Sequence, residues 1–164
     1  MNEYQAFLVR SLRRGIEDAD ALIRVFPRDS LDREWTPGAW PVRRQAHHLR
    51  QIQGRYLDRL ENTLAANGRV PAPVQHLQPD MEEAMESVLS GFVEAGNRAA
   101  TMLEQLSESD WVRAFNHPTI WGDINVQWWA ERFVQHTAEH LSELWMFQQL
   151  SGLTADAYER VRVQ

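Results

Sequence analysis

The sequence predicts an all-α domain built as a four-helix bundle. Three observations lead there. Four long segments repeat apolar residues at the i, i+3, i+4 spacing of a buried helical face. No segment alternates apolar and polar residues with β-branched enrichment, so no strand is expected. The turn-formers Pro27, Pro37-Gly38, Pro71, Pro73, Pro79, Pro118 and Gly122 fall between the four segments.

The first helix is expected over residues 4–26. Tyr4, Phe7, Leu8, Leu12, Ile16, Ala19, Leu22, Ile23 and Phe26 form its stripe, and Pro27 ends it. The second is expected over 41–66, with Pro41 in the first turn and Asn67-Gly68 as the stop. Its stripe is Val42, Ala46, Leu49, Ile52, Tyr56, Leu60 and Leu64. The third is expected over 81–106, with Asp80 as cap and Glu83 completing a capping box. Met85, Val88, Leu89, Phe92, Ala99, Met102, Leu103 and Leu106 mark its buried face. The fourth is expected over 124–150, capped by Asp123 or Asn125.

The linkers run to roughly 13 to 17 residues, long against the about 2 to 8 of simple bundles. A helix of about 26 residues is about 39 Å long, and about 13 extended residues reach about 43 Å. The 67–79 linker can therefore travel the length of the bundle and let consecutive helices lie parallel. The expected topology is a crossover, up-down-down-up. Residues 1–152 are assigned to the bundle and 153–164 to a partly ordered tail.

Composition narrows the function. The 164 residues fit one domain that buries a core without staples. The chain has no cysteine, which removes disulfides, thiolate ligands and cysteine nucleophiles, and points to a reducing, cytoplasmic setting. Residues 1–5 hold no basic stretch leading into an apolar core, so no signal peptide is expected. No apolar run approaches the roughly 18 residues of a membrane span. A net charge of −6 without a basic stripe argues against nucleic acid. Seven tryptophans are expected as core anchors, some of them lining a pocket.

The histidines carry the chemistry. His136 and His140 lie four apart on the fourth helix, one turn from each other. At about 100° per residue they fall on the same face as Trp129, Phe133, Leu144 and Phe147. Two imidazoles stacked in an apolar stripe are hard to satisfy with protein groups, and one metal ion satisfies both. A third ligand must come from elsewhere. On the second helix, adjacent residues diverge by about 100°, so only one of His47 and His48 is expected to point inward. The pattern favours His48 by a small margin and leaves His47 on the surface. His76 and His117 fall in linkers and read as surface residues. The spacing His136-Thr137-Ala138-Glu139-His140 lacks the HExxH order of zinc proteases. Glu139 and Glu143 could orient an imidazole, and Arg43, Arg44, Arg50 and Arg55 could meet an anionic substrate. A solvated helix face accounts for each of these charges equally well.

Three stretches are similar to the DinB-like metal-binding bundles, a family named for a DNA-damage-inducible protein. Trp40-Pro41-Val42-Arg43-Arg44-Gln45-Ala46-His47-His48-Leu49 resembles the family's second-helix start. Asn116-His117-Pro118-Thr119-Ile120-Trp121-Gly122-Asp123 resembles its His-Pro-x-x-Gly turn, one residue longer here. Gln135-His136-Thr137-Ala138-Glu139-His140-Leu141 resembles its closing HxxxH, at the expected interval from the first histidine. The resemblance covers about residues 5–150. It implies a four-helix bundle with an unusual crossover, a divalent transition ion (zinc or nickel most often) held by His48, His136 and His140, and a homodimer. It further implies a metal-dependent transferase or hydrolase acting on a small molecule, in some members with a low-molecular-weight thiol. The competing expectation is a non-catalytic module with a structural or sensory metal. A protein carboxylate closing the coordination would favour that module, and an open position would favour catalysis.

Overall fold

The structure, a computed structural model, describes residues 1–65, 80–116, 123–153, 156 and 158, with the side chains of 114–116 and 123 excepted. Helix α1 spans Glu3–Arg24, α2 Val42–Ala65, α3 Met85–Gln105 and α5 Val126–Leu150, with a short α4 at Glu108–Trp111 and a 3-10 turn at Arg28–Ser30. Two three-residue strands, β1 Ala114–Asn116 and β2 Asp123–Asn125, pair antiparallel, Ala114 opposite Asn125. This hairpin corrects the expectation of no strand: three residues are too few to show alternation.

Cross-helix contacts fix the directions. Arg13 pairs with Glu104 and Arg24 with Glu86, so α1 and α3 run antiparallel. Arg50 pairs with Glu83 and Glu61 with Arg98, so α2 and α3 run parallel. Tyr4 bonds Glu131 while Gly15 lies against Thr137 and Leu141, so α1 and α5 are parallel. Gln45 meets His140 and Tyr56 meets Trp129, so α2 and α5 are antiparallel. The bundle is up-down-down-up, as the linker lengths allow. The parallel pair α2 and α3 is joined through residues 66–79, outside the described residues.

Local chemistry sets the ends. Asn2 caps α1 and forms a reciprocal capping box with Gln5, whose side chain is buried with the stripe. The Asn125 side chain accepts from the Trp128 amide and starts α5. Helix α3 begins at Met85, later than expected, and Ala84 gives it no side-chain cap. Asp80 instead accepts from the Glu82 amide in a turn, and Glu83 is taken by Arg50 and Ser87. The expected capping box is thus spent on a turn and an interhelical ion pair.

The core joins Leu12, Ile16 and Leu22 of α1 with Phe92 and Leu103 of α3, Leu49 and Leu60 of α2, and Phe133 and Phe147 of α5. Trp111, held by the Ser107–Asp110 capping box of α4, is fully buried against it. Tyr4 and Phe7, placed in the stripe by periodicity, are exposed and stack on each other at 6.3 Å. In the expected tail, Tyr158 is buried, packs on Trp145 and donates to Asp18 at 2.6 Å.

Helices α1 and α3 approach through Gly96. A Cβ there would stand 2.3 Å from Cδ1 and 2.9 Å from Cγ1 of Ile16. Gly96→Ala is therefore expected to destabilise by about 1–3 kcal/mol, against the about 1 kcal/mol of helix propensity it gains. Pairing it with Ile16→Val, which removes the closest atom, should cost less than the sum of the two single changes. Urea denaturation of the three variants measures this; strict additivity would rule out the contact.

Candidate metal centre

Helix α2 is flanked by α3 on one side and α5 on the other, and adjacent residues on it serve different interfaces. His48 turns towards α5, where its Nε2 lies 3.1 Å from Nε2 of His136. His140, one turn along α5, completes a triangle of rings with centroids 4.9–5.1 Å apart. One ligand nitrogen from each of the three lies within 4.8 Å of the others. Two nitrogens bound to one tetrahedral zinc stand about 3.3 Å apart, given Zn–N of about 2.0–2.1 Å. The His48–His136 separation is close to that. Among the described residues no Asp or Glu joins the group.

The surroundings are aromatic. Trp40, just before α2, meets His48 edge-on at 5.0 Å and lies nearly parallel to His140 at 6.5 Å. Tyr56 presents its ring edge-to-face with His136 at 5.9 Å. Fully buried Gln45 reaches Nδ1 of His140 with Oε1 at 3.3 Å and the Trp40 carbonyl with Nε2 at 3.2 Å. Nδ1 of His136 is buried without a hydrogen-bond partner among the described residues.

The three imidazoles fit a divalent transition ion. Burial above all, then the neighbouring His140 and His48 and the charge of Arg132, pushes His136 down to about 3. Burial also lowers His140, against the opposing pull of Glu143 and Glu139. Both rings are therefore neutral at neutral pH, the form that offers a lone pair.

The DinB superfamily model matches residues 11–144. The chain belongs to the DinB superfamily. No curated protein matches it in sequence. Among solved structures it is similar to YfiT from Bacillus subtilis, a probable metal-dependent hydrolase with an unusual four-helix bundle topology. The TM-score is 0.82 over 94% of this chain and 91% of that one, at 18% identity. At that identity the likeness speaks for the fold.

Within this DinB-superfamily bundle the histidines expected to converge do so. His47 is a correction: expected on the surface, it is 4% exposed, with Nε2 unpartnered among the described residues. It shares a helix face with Arg43, four before it, and Arg50, three after it, and Arg50 pairs with Glu83 just ahead of α3. A helix packed on two sides buries an arc wide enough for consecutive residues. His76, His117 and most of the 116–123 motif lie outside the described residues.

Glu143 approaches His140 Nδ1 at 4.0 Å and is half exposed, while Glu139 is engaged by Gln135 and Arg132. Arg43 pairs with Asp32 and Arg50 with Glu83, whereas Arg44 lies 4.3 Å over the Trp40 ring. Burial and the charge of Arg59 lower Arg55. Gln45 was not foreseen. Its one signal is position, three residues before His48 and so on the same face.

The depressed histidines set a pH dependence for metal-free protein. Below its unfolded value of 6.5, the unfolded chain takes up a proton that folded His136 refuses down to about 3. Stability is thus complete above that unfolded value and falls as pH drops through the window. Chelator-treated protein is expected to melt at lower temperature at pH 5.5 than at 7.5. A flat profile over that range would contradict the burial of neutral imidazoles.

Proposed function

We propose that the chain is a metal-dependent enzyme acting on a small molecule, with His48, His136 and His140 as the ligands of one divalent transition ion, zinc or nickel. The observation that carries this is the meeting of three imidazoles from two helices in a group that no described carboxylate joins. Three neutral ligands and an open position are the pattern of catalytic rather than closed structural zinc, and favour an enzyme over a structural or sensory module. When bound, such an ion keeps its full charge and lowers the pKa of a coordinated water or thiol.

The chain's own residues do the rest. Packing of α2 against α5 buries His136, and burial keeps His136 and His140 unprotonated at neutral pH. Trp40 and Tyr56 flank them with apolar surface on which a small substrate could lie. Hydrolysis by an activated water agrees with what is said of YfiT. Thiol-dependent transfer is the second reading. The absence of cysteine favours its external form, in which a low-molecular-weight thiol arrives as co-substrate.

The proposal includes a homodimer in the cytoplasm. Exposed Tyr4 and Phe7 on α1 offer apolar surface for a second copy. No helix among the described residues is long and apolar enough to cross a membrane. Light scattering is expected to give about twice 19.1 kDa; one 19.1 kDa species at every concentration would remove the dimer.

Titration calorimetry on protein purified without added metal or a histidine tag tests the site. Wild type is expected to bind one zinc or nickel ion. His48→Ala, His136→Ala and His140→Ala should each abolish that stoichiometric binding, and with it the thermal stabilisation by added metal. His47→Ala should keep the stoichiometry while melting earlier, because it empties a buried position. Loss of metal with His47→Ala and retention with His48→Ala would move the site to the other histidine. An activity screen with and without an added thiol then separates hydrolysis from transfer.

A further inference from the structure

An imidazole that binds a metal through one nitrogen must carry its proton on the other, and a neutral ring has two tautomers to choose between. Something must choose for His140. Its Nδ1 lies 3.3 Å from Oε1 of Gln45, whose Nε2 lies 3.2 Å from the main-chain oxygen of Trp40. Gln45 is fully buried, so each end of its amide needs a partner inside the protein. The two ends are not interchangeable. The Trp40 carbonyl can only accept, so the end facing it must be the NH2 group. The other end is then the carbonyl oxygen, which can only accept from His140. A flipped amide would bring two buried oxygens together. Main-chain chemistry, rather than the appearance of the amide, therefore settles its orientation.

We infer that Gln45 is a positioning residue that fixes the proton of His140 on Nδ1 and so presents the lone pair of Nε2 to the metal. This rests on the reading of His140 as a ligand. The other acceptor near Nδ1, the Glu143 carboxylate, is half exposed and stands off at 4.0 Å. Gln45 also ties the segment carrying Trp40 to the ligand, so one side chain sets the tautomer and seats the aromatic wall against His48 and His140. His136 offers the contrast, since its Nδ1 has no hydrogen-bond partner among the described residues.

Zinc affinity by competition with a chromophoric chelator, together with 15N NMR of the histidine side chains, tests this. In wild type, His140 is expected to carry its proton on Nδ1 without metal and to bind zinc through Nε2. Gln45→Leu removes the acceptor and should weaken zinc about 10–100-fold, with His140 in mixed tautomers when metal-free. Gln45→Glu in its neutral form, whose hydroxyl donates to the Trp40 carbonyl while its carbonyl oxygen faces Nδ1, should restore affinity to within a few-fold and return the Nδ1 proton. A role confined to packing would lower the melting temperature of both variants and leave the tautomer unmoved. Folded Gln45→Leu binding zinc as tightly as wild type would overturn the inference. So would zinc on Nδ1 of His140 in wild type, which is readable even if neither variant folds. Wild type taking up no zinc would instead remove the proposed metal site itself.

Discussion

Burying imidazole and amide groups between two helices is the constraint on which the rest of this bundle turns. Of the eight buried polar side chains among the described residues, Gln45, Gln53, His136 and Thr137 lie between α2 and α5. Each polar atom there costs free energy unless it finds a partner. Some are linked in chains: Gln53 donates to Thr137, which donates to the Phe133 carbonyl, and Gln45 bridges Trp40 and His140. The two bonds that cross, Gln53 to Thr137 and His140 to Gln45, fix the register of α2 against α5, because a slide of one residue would break both. In the apolar core of the α1–α3 interface, shape sets the register, as Gly96 does against Ile16.

The same polar groups explain where the sequence was legible and where it was not. Long stripes such as Leu8, Leu12, Ile16, Ala19, Leu22 and Ile23 declare a helix and its buried face, and four of them declare a bundle. The pair His136 and His140 was legible because it interrupts such a stripe. Helix α2 was read less well. Its buried set runs through Gln45, Gln53 and Thr63, which a search for apolar residues passes over, and so the inferred face was turned. His47 failed for a related reason, since one face was assumed where the helix has two. The start of α3 was misplaced because Asp80 and Glu83 satisfy the spacing of a capping box yet find better partners in Glu82 and Arg50. Spacing describes what a residue could reach; competition among neighbours decides what it does.

Topology brings the site together. In an up-down-down-up bundle α1 and α5 lie side by side, and α2 meets α5 running the opposite way. The N-terminal half of α2 therefore faces the C-terminal half of α5, which is where His48 and His140 stand. A simple up-down-up-down bundle would also offer antiparallel neighbours. Here, though, α2 has α3 on its other flank, running parallel, and Arg50 reaches across to Glu83 only two residues from His48. That flank carries the ion pairs Arg50–Glu83 and Arg98–Glu61, with no imidazole cluster among the described residues.

The two flanks of α2 thus divide the work between adjacent residues. His47 faces the α3 flank, where burial lowers it and no described group completes its Nε2. His48 faces the α5 flank, among rings that already surround it. A doubled histidine is ambiguous in a sequence because the two members are chemically identical. Once the helix is packed on both sides they differ completely, and the difference lies in what the neighbouring helix supplies. Helix α5 supplies two imidazoles at one-turn spacing, and the segment before α2 supplies Trp40, held over them through Gln45. The segment just before α3 supplies Glu83, already engaged by Arg50 and Ser87. Convergence of imidazoles, rather than burial of any one histidine, is what separates a candidate metal centre from a core histidine, and on α2 that convergence falls to His48.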